Sequence, residues 1–225
     1  MRRFLRILLL YIPCGFIALS LMLVLLFKWA PVEVTPLMIE RVIQGEGSVS
    51  ALVHRKWTPI EDISPNMIRC VIASEDARFF SHKGFDFEEL GKMSEQHRRY
   101  GKPVRGCSTL SQQTAKNCFT FCSSTMFRKA VEAWYTFLIE RIWGKKRILE
   151  VYLNVAELGH GIYGAEEAAG HYFRKKAAAL NLDEASALTL CLPNPLKRSP
   201  DWARRYRSSR KAEIVSLSRQ VRLEY

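Results

Sequence analysis

The first part of the chain is apolar without a break. From Ile7 to Phe27 no charged side chain occurs, and Leu and Ile prevail. At about 1.5 Å per residue this stretch reaches roughly 32 Å as a helix, enough to cross the hydrocarbon core of a bilayer. Pro13 and Gly15 are tolerated in a membrane helix. Arg2, Arg3 and Arg6 precede the stretch, with no acidic residue among them. The positive-inside rule then keeps the N-terminus in the cytoplasm and places the rest of the chain outside. A cleaved signal peptide is the rival reading, but its apolar core is ordinarily shorter. No A-x-A site follows, and Lys28-Trp29-Ala30-Pro31 reads as an interfacial anchor.

Beyond the anchor the period changes. Pro31 to Pro59 mixes Val, Thr, Gly and Pro and is predicted to be an extended linker with one short strand. From Ser64 onward the spacing is helical. Ser64-Pro65 is an N-cap followed by Pro at the first helical position. Met67, Ile68, Val71 and Ile72 then lead up to Glu75. Asp86 and Glu89 predict a capping box for a helix through about His97, followed by a basic loop to Gly106. Ser108 is predicted to cap a short helix through Asn117. Ser123 or Ser124 precedes a long apolar-periodic run through Trp143, and Lys145 to Ala156 is a further amphipathic helix. Gly159, Gly161 and Gly164 mark a turn before a small-residue helix over 165–173. Asn181 and Glu184 cap a helix ending at Pro193, and Ser199-Pro200 opens a final basic one. No alternating segment of any length interrupts this, so the fold class is mainly α. The organisation reads as a basic tail (1–6), a transmembrane helix (7–27), a linker (28–44) and one domain (45–225).

The 225 residues are 48% hydrophobic and 25% charged, which is globular composition and excludes disorder. Lys+Arg 34 against Asp+Glu 22 leaves a net charge of +12, a surplus that suits an anionic partner. Beside an anionic membrane face, that partner is a membrane-bound phosphate rather than nucleic acid. Cys14 falls inside the apolar stretch. Cys70, Cys107, Cys118, Cys122 and Cys191 include no C-x-x-C pair and read as small buried apolar side chains, their disulfide state open.

Two glutamates stand out. Glu75 ends an apolar run, where a carboxylate is costly unless paired or in use. Glu132 has Arg128 and Lys129 at i−4 and i−3, on one helix face. Taken singly, each reads better as a surface ion pair or a solvated helix end. Thr109, Gln113 and Lys116 add a polar stripe ending in a cation, with hydroxyl and amide groups suited to sugar hydroxyls and phosphate oxygens.

Together these segments resemble the five signatures of the family 51 peptidoglycan glycosyltransferases. Glu75-Asp76-x-x-Phe79-x-x-His82-x-Gly84 resembles the first. Gly106-x-Ser108-Thr109-x-x-Gln112-Gln113-x-x-Lys116-Asn117 resembles the second, with Ser111 where Thr is frequent. Arg128-Lys129-x-x-Glu132 resembles the third, and Lys145-Lys146-Arg147-Ile148-Leu149-Glu150-x-Tyr152-Leu153-Asn154 the fourth. Gly161-x-x-Gly164 through Ala168-Ala169 and Tyr172-Phe173 resembles the fifth. The short chain and Leu192-Pro193-Asn194-Pro195 resemble the monofunctional, membrane-anchored branch.

The resemblance implies a lysozyme-like helical fold with a small membrane-facing lobe, anchored by a single span in the bacterial inner membrane. It implies polymerisation of lipid II into β-1,4 glycan strands with undecaprenyl pyrophosphate leaving. Glu75 matches the general base, and Glu132 is the second catalytic carboxylate. Asp76, Phe79, His82, Ser108, Thr109, Gln112, Gln113, Lys116, Asn117, Arg128 and Lys129 are the expected substrate-binding residues, with Asp76 and His82 leaning toward support. Lys116, Arg128 and Lys129 would meet the pyrophosphate, and Glu132 would orient them or help hold a divalent cation (Mg or Mn). The partners implied are lipid II, the growing lipid-linked strand, the membrane, and transpeptidases or division proteins. Ser208-Ser209-Arg210-Lys211 fits S-x-x-K, but no S-D-N or K-T-G follows, so it reads as a solvated helix face. The competing readings are a wall-cleaving lytic enzyme, which needs an acid rather than a cation cluster, and an idle scaffold.

Overall fold

The computed structural model describes residues 10–49, 55–101, 108–121 and 125–225. Arg2, Arg3, Arg6, Gly106, Cys107, Cys122, Ser123 and Ser124 lie outside them, as do Lys102 and Arg105. The molecule is built from helices α1 (Ile12–Trp29), α2 (Pro36–Ile43), α3 (Pro65–Glu75), α4 (Phe87–Tyr100), α5 (Leu110–Phe119), α6 (Met126–Ile142) and α7 (Lys145–Val155). After a short hairpin, β1 (Glu157–Gly159) and β2 (Ile162–Tyr163), come α8 (Ala165–Phe173), α9 (Leu182–Thr189), α10 (Pro200–Tyr206) and α11 (Ser208–Ser218). The mainly helical class is what the periodicity predicts.

The core is centred on α3 and α7. Helix α3 buries Met67, Ile68, Cys70, Val71, Ile72 and Ala73, covering nearly its whole circumference. It packs against α9 and α11. Ser64 starts it by accepting from Asn66 N, with Pro65 in the first turn, and its own hydroxyl donates to Leu180 O at 2.7 Å. Helix α7 buries Ile148, Leu149, Val151, Tyr152, Leu153 and Val155. Helix α5 packs between α6 and α7, so the second, third and fourth signatures share one layer.

Several local expectations are corrected. The segment Pro31 to Pro59, expected as an extended linker with one short strand, holds a helix: Thr35 caps α2, whose Leu37 and Met38 are buried. That helix packs on α5, and Arg41 reaches Glu157 at 3.1 Å. The cap of α5 is Thr109, not Ser108, and that of α6 is Thr125. Asp86 caps α4 by accepting from Glu89 N. The helix after Asn181 stops at Thr189, and the basic C-terminal segment is two helices. The glycine turn carries an antiparallel hairpin pairing Glu157 with Tyr163.

Helix α1 has a mean hydropathy of 2.0 and faces mostly outward. Its exceptions are Ser20 and Val24, both fully buried. Helix α4 buries no residue. Among the described cysteines, Cys70, Cys118 and Cys191 are buried and unpaired. Burial pushes the thiols of Cys118 and Cys191 up to about 12, so they are packing groups and not nucleophiles.

Candidate active site

Glu75 is the last residue of α3, and the chain leaves the helix at Asp76. The carboxylate therefore stands at the end of the core helix, facing a cleft of about 730 Å³. Ser74, Ser108, Gln112, Gln113, Lys116, Glu132, Arg198, Arg207 and Arg210 supply its polar lining. Gln113 Nε2 donates to Glu75 Oε2 at 3.2 Å, and Ser74 Oγ donates to Oε1 at 3.2 Å. Tyr152 OH holds the same amide by donating to Gln113 Oε1 at 3.1 Å. Burial raises the Glu75 pKa above the ordinary carboxylate range, and the two hydrogen bonds and Arg210 only partly offset it. A carboxylate tuned upward in this way is suited to take a proton near neutral pH.

The rest of the first signature faces inward. Asp76 lies 2.9 and 3.0 Å from His82 Nε2 through its two oxygens, and it accepts from Leu110 N at 2.9 Å. One carboxylate thus pins the first turn of α5 to the end of α3. Phe79 has 0% exposure and cannot touch a substrate. Thr109 and Gln112 form a reciprocal capping box, and Thr109 Oγ1 donates to Gly84 O at 2.6 Å. Gly84 sits at φ +94°, and a Cβ there would meet Thr136 Cγ2 at 3.0 Å. Its bare backbone lets the first signature approach α6 closely. Asp76, Phe79, His82 and Thr109, expected to bind substrate, are in this geometry supports that set the cleft walls. Gln112 both caps and lines the cleft. Asn117 lies one pocket away, beside Lys116, Tyr152 and Pro193.

The cation cluster divides. Arg128 Nη1 meets Glu132 Oε2 at 2.6 Å, and Lys129 Nζ meets Oε1. Glu132 is only 2% exposed, so both of its carboxylate oxygens are committed to holding these cations, and the three groups keep a net charge of +1. Lys116 has no ion pair among the described residues and projects into the cleft. The cleft thus has Lys116, without an ion pair among the described residues, and Glu132 on its wall, the latter carrying two bound cations and a surplus of one positive charge.

A divalent cation finds little here. The two carboxylates lining the cleft are Glu75 and Glu132; the first is bonded to an amide and a hydroxyl, the second to two cations. Asp76, His82 and Asp86 bring three ligand atoms together, but Asp86 is bonded to Glu89 N and Arg78. Among the described residues the donor set does not fit a resident metal.

Sequence reasoning missed Arg198, Arg207 and Arg210. The last lies within the stretch read as a solvated face; it lines the cleft, while Lys211 pairs with Asp183. Trp202 has Arg198 and Arg207 at 5.2 and 5.7 Å from its ring, a cation–π arrangement that orders both. The only available signal was the density of Arg after Pro195, and nothing local tells which face of such a helix turns inward.

A family model described as Transglycosylase matches residues 44–219. The chain is similar to proteins named biosynthetic peptidoglycan transglycosylase. With that of Caulobacter vibrioides it shares 46% identity over 221 residues, 98% of this chain and 94% of the relative. With that of Pasteurella multocida it shares 46% over 183 residues, 80% and 74% of the two chains. With that of Bdellovibrio bacteriovorus it shares 43% over 211 residues, 92% and 80%.

Proposed function

Since this chain belongs to the peptidoglycan transglycosylase family, a family of glycosyltransferases with a lysozyme-like helical fold, we propose that it polymerises lipid II into β-1,4-linked glycan strands and releases undecaprenyl pyrophosphate. The observation that carries this reading is the shared cleft of Glu75, Lys116 and Glu132, the last of which binds Arg128 and Lys129. Glu75 takes the proton of the acceptor's 4-hydroxyl as that oxygen bonds to the donor's anomeric carbon. The bond from that carbon to the pyrophosphate oxygen breaks on the opposite side, which inverts the α-linked donor to a β product. A pyrophosphate leaves as a stable anion and needs positive charge more than a proton. Lys116 meets it directly, and Arg128 and Lys129 are held in place by Glu132.

Both substrates carry lipid tails, so the cleft opens beside the bilayer. Helix α1 crosses the inner membrane once, with the catalytic domain on the external side. A second membrane contact is formed by Phe121, Met126 and Phe127, which are 59%, 85% and 79% exposed. Phe87 and Leu90 of α4 are exposed as well. Arg98 and Arg99, at the end of α4, add attraction to an anionic surface, about 1 kcal/mol per charge.

Incubating the purified full-length protein with lipid II tests the reading. Polymer supports it, cleavage of preformed strands supports a lytic enzyme, and no reaction supports a scaffold.

A further inference from the structure

Residues 27–33 are the end of the membrane helix and the start of its link to α2, and two guanidinium groups from the catalytic core grip them. Arg147 of α7 donates from Nε and Nη2 to Phe27 O at 3.1 and 2.8 Å, and from Nη2 to Ala30 O. Its Nη1 is held by Glu150, and its plane lies 4.8 Å from the Trp57 ring. Arg55 donates to Val32 O and Glu33 O, each at 2.5 Å, and also to Asn154 O of α7. The last carbonyls of a helix have no intrahelical donor and carry the negative end of its dipole. Water satisfies such an end when the helix is a free tether. Here a cation from the folded domain does so.

The contact continues down the helix. Phe16, Ser20, Val24 and Phe27 recur at helical spacing and face the domain. Phe16 meets Tyr135 edge-on with centroids 6.3 Å apart, and the Ser20 hydroxyl lies 3.2 Å from Tyr135 OH. Trp143 Nε1 donates to Val24 O at 2.7 Å, and Phe27 lies 6.3 Å from Phe119. Tyr135 is one turn after Glu132 on α6, so the anchor leans on the helix that carries the cation-holding carboxylate.

We propose that Arg147, seconded by Trp143, is a positioning residue that locks the membrane helix to the catalytic core and fixes the tilt and depth of the cleft over the bilayer. This gives the fourth signature a role that none of the cleft residues fills. It rests on the reading that the substrates are held in the membrane. A rotation of the domain about its tether would lift the cleft away from pyrophosphates confined to one plane. In a detergent micelle, enzyme and substrate share no fixed plane, and the lock matters little.

The test compares full-length wild type, Arg147→Met, Arg147→Lys and Trp143→Phe in phospholipid vesicles and in detergent, with lipid II as substrate. Arg147→Met is expected to stay within about 2-fold of wild type in detergent and to fall roughly 10-fold in vesicles, small misplacements being costly to turnover. Arg147→Lys should recover part of the loss, and Trp143→Phe should show the same split more weakly. Trypsin should cut after Lys28 faster in Arg147→Met than in wild type. Equal activity of Arg147→Met and wild type in vesicles overturns the proposal. So does an equal loss in both media by the three variants, which marks a purely structural role. If wild type makes no polymer in either medium, the functional reading has failed, and unchanged trypsin cleavage would then overturn the lock independently.

Discussion

Gln113 Nε2 lies 3.2 Å from Glu75 Oε2, and Tyr152 holds the other end of the same amide at 3.1 Å. The donor aimed at Glu75 is therefore fixed from behind by the core. This bond favours the ionised carboxylate while burial disfavours it, and burial prevails. The base is left poised above the usual carboxylate range.

Glu75→Gln should lower lipid II polymerisation by about 10²-fold or more with the fold intact by circular dichroism. Its effect on stability has a definite sign. A carboxyl with a raised folded pKa contributes stability below its unfolded pKa and loses it as pH rises through the folded value. Glu75→Gln should therefore melt higher than wild type at neutral pH, with the gain vanishing in acid. A lower melting temperature at neutral pH would contradict the burial argument.

The acid side of the pH–rate profile follows from the same group. Turnover should fall as pH drops through the raised Glu75 pKa. Gln113→Ala and Arg210→Ala each remove an influence that favours the charged form, so both should shift that limb to higher pH. Arg210→Ala should also raise KM. A profile that both substitutions leave unmoved would place Glu75 outside the rate-determining proton transfer.

Lys116 and Arg128 should behave differently under substitution. Lys116→Ala removes a cleft cation that has no ion pair among the described residues, and should cost turnover with little change in melting temperature. Arg128→Ala leaves buried Glu132 with Lys129 alone, and should cost turnover together with about 1–3 kcal/mol of stability in chemical denaturation. Full activity in both variants would remove the cation argument.

Phe121→Ser with Phe127→Ser should weaken binding to anionic vesicles and leave thermal stability unchanged, since both rings are exposed. Vesicle binding is read here by flotation, with the membrane helix removed. Phe119→Ser should destabilise strongly, because that ring stacks on Tyr135 at 4.2 Å. A large loss of stability in the Phe121 and Phe127 double variant would assign them to the core. A chain starting near Pro31 exposes the Tyr135, Phe119 and Trp143 surface that α1 covers, so it should melt lower than the full-length protein.

What this sequence determined by itself was local or periodic. Ser64-Pro65 and the Asn181–Glu184 box start helices through bonds within one turn, so neighbouring residues suffice to announce them. The uncharged run from Ile7 announces, through its length and composition, an apolar helix long enough to cross a membrane. Glu75 was legible because a carboxylate closing an apolar run needs a reason. The tertiary structure decided whatever depends on partners far along the chain. Asp76 has the same residue type as a substrate ligand, and only the approach of Leu110 N and His82 makes it a latch. Arg210 and Lys211 are adjacent cations on one basic helix; packing of α11 on α3 turns the first into the cleft and leaves the second with Asp183. Helix α2 was hidden among Pro and Gly residues and is held by its contact with α5. The anchor's docking rests on bonds to Tyr135, Trp143 and Arg147, more than a hundred residues away. No short-range pattern encodes such contacts, because their free energy comes from surfaces that exist only once the chain has folded.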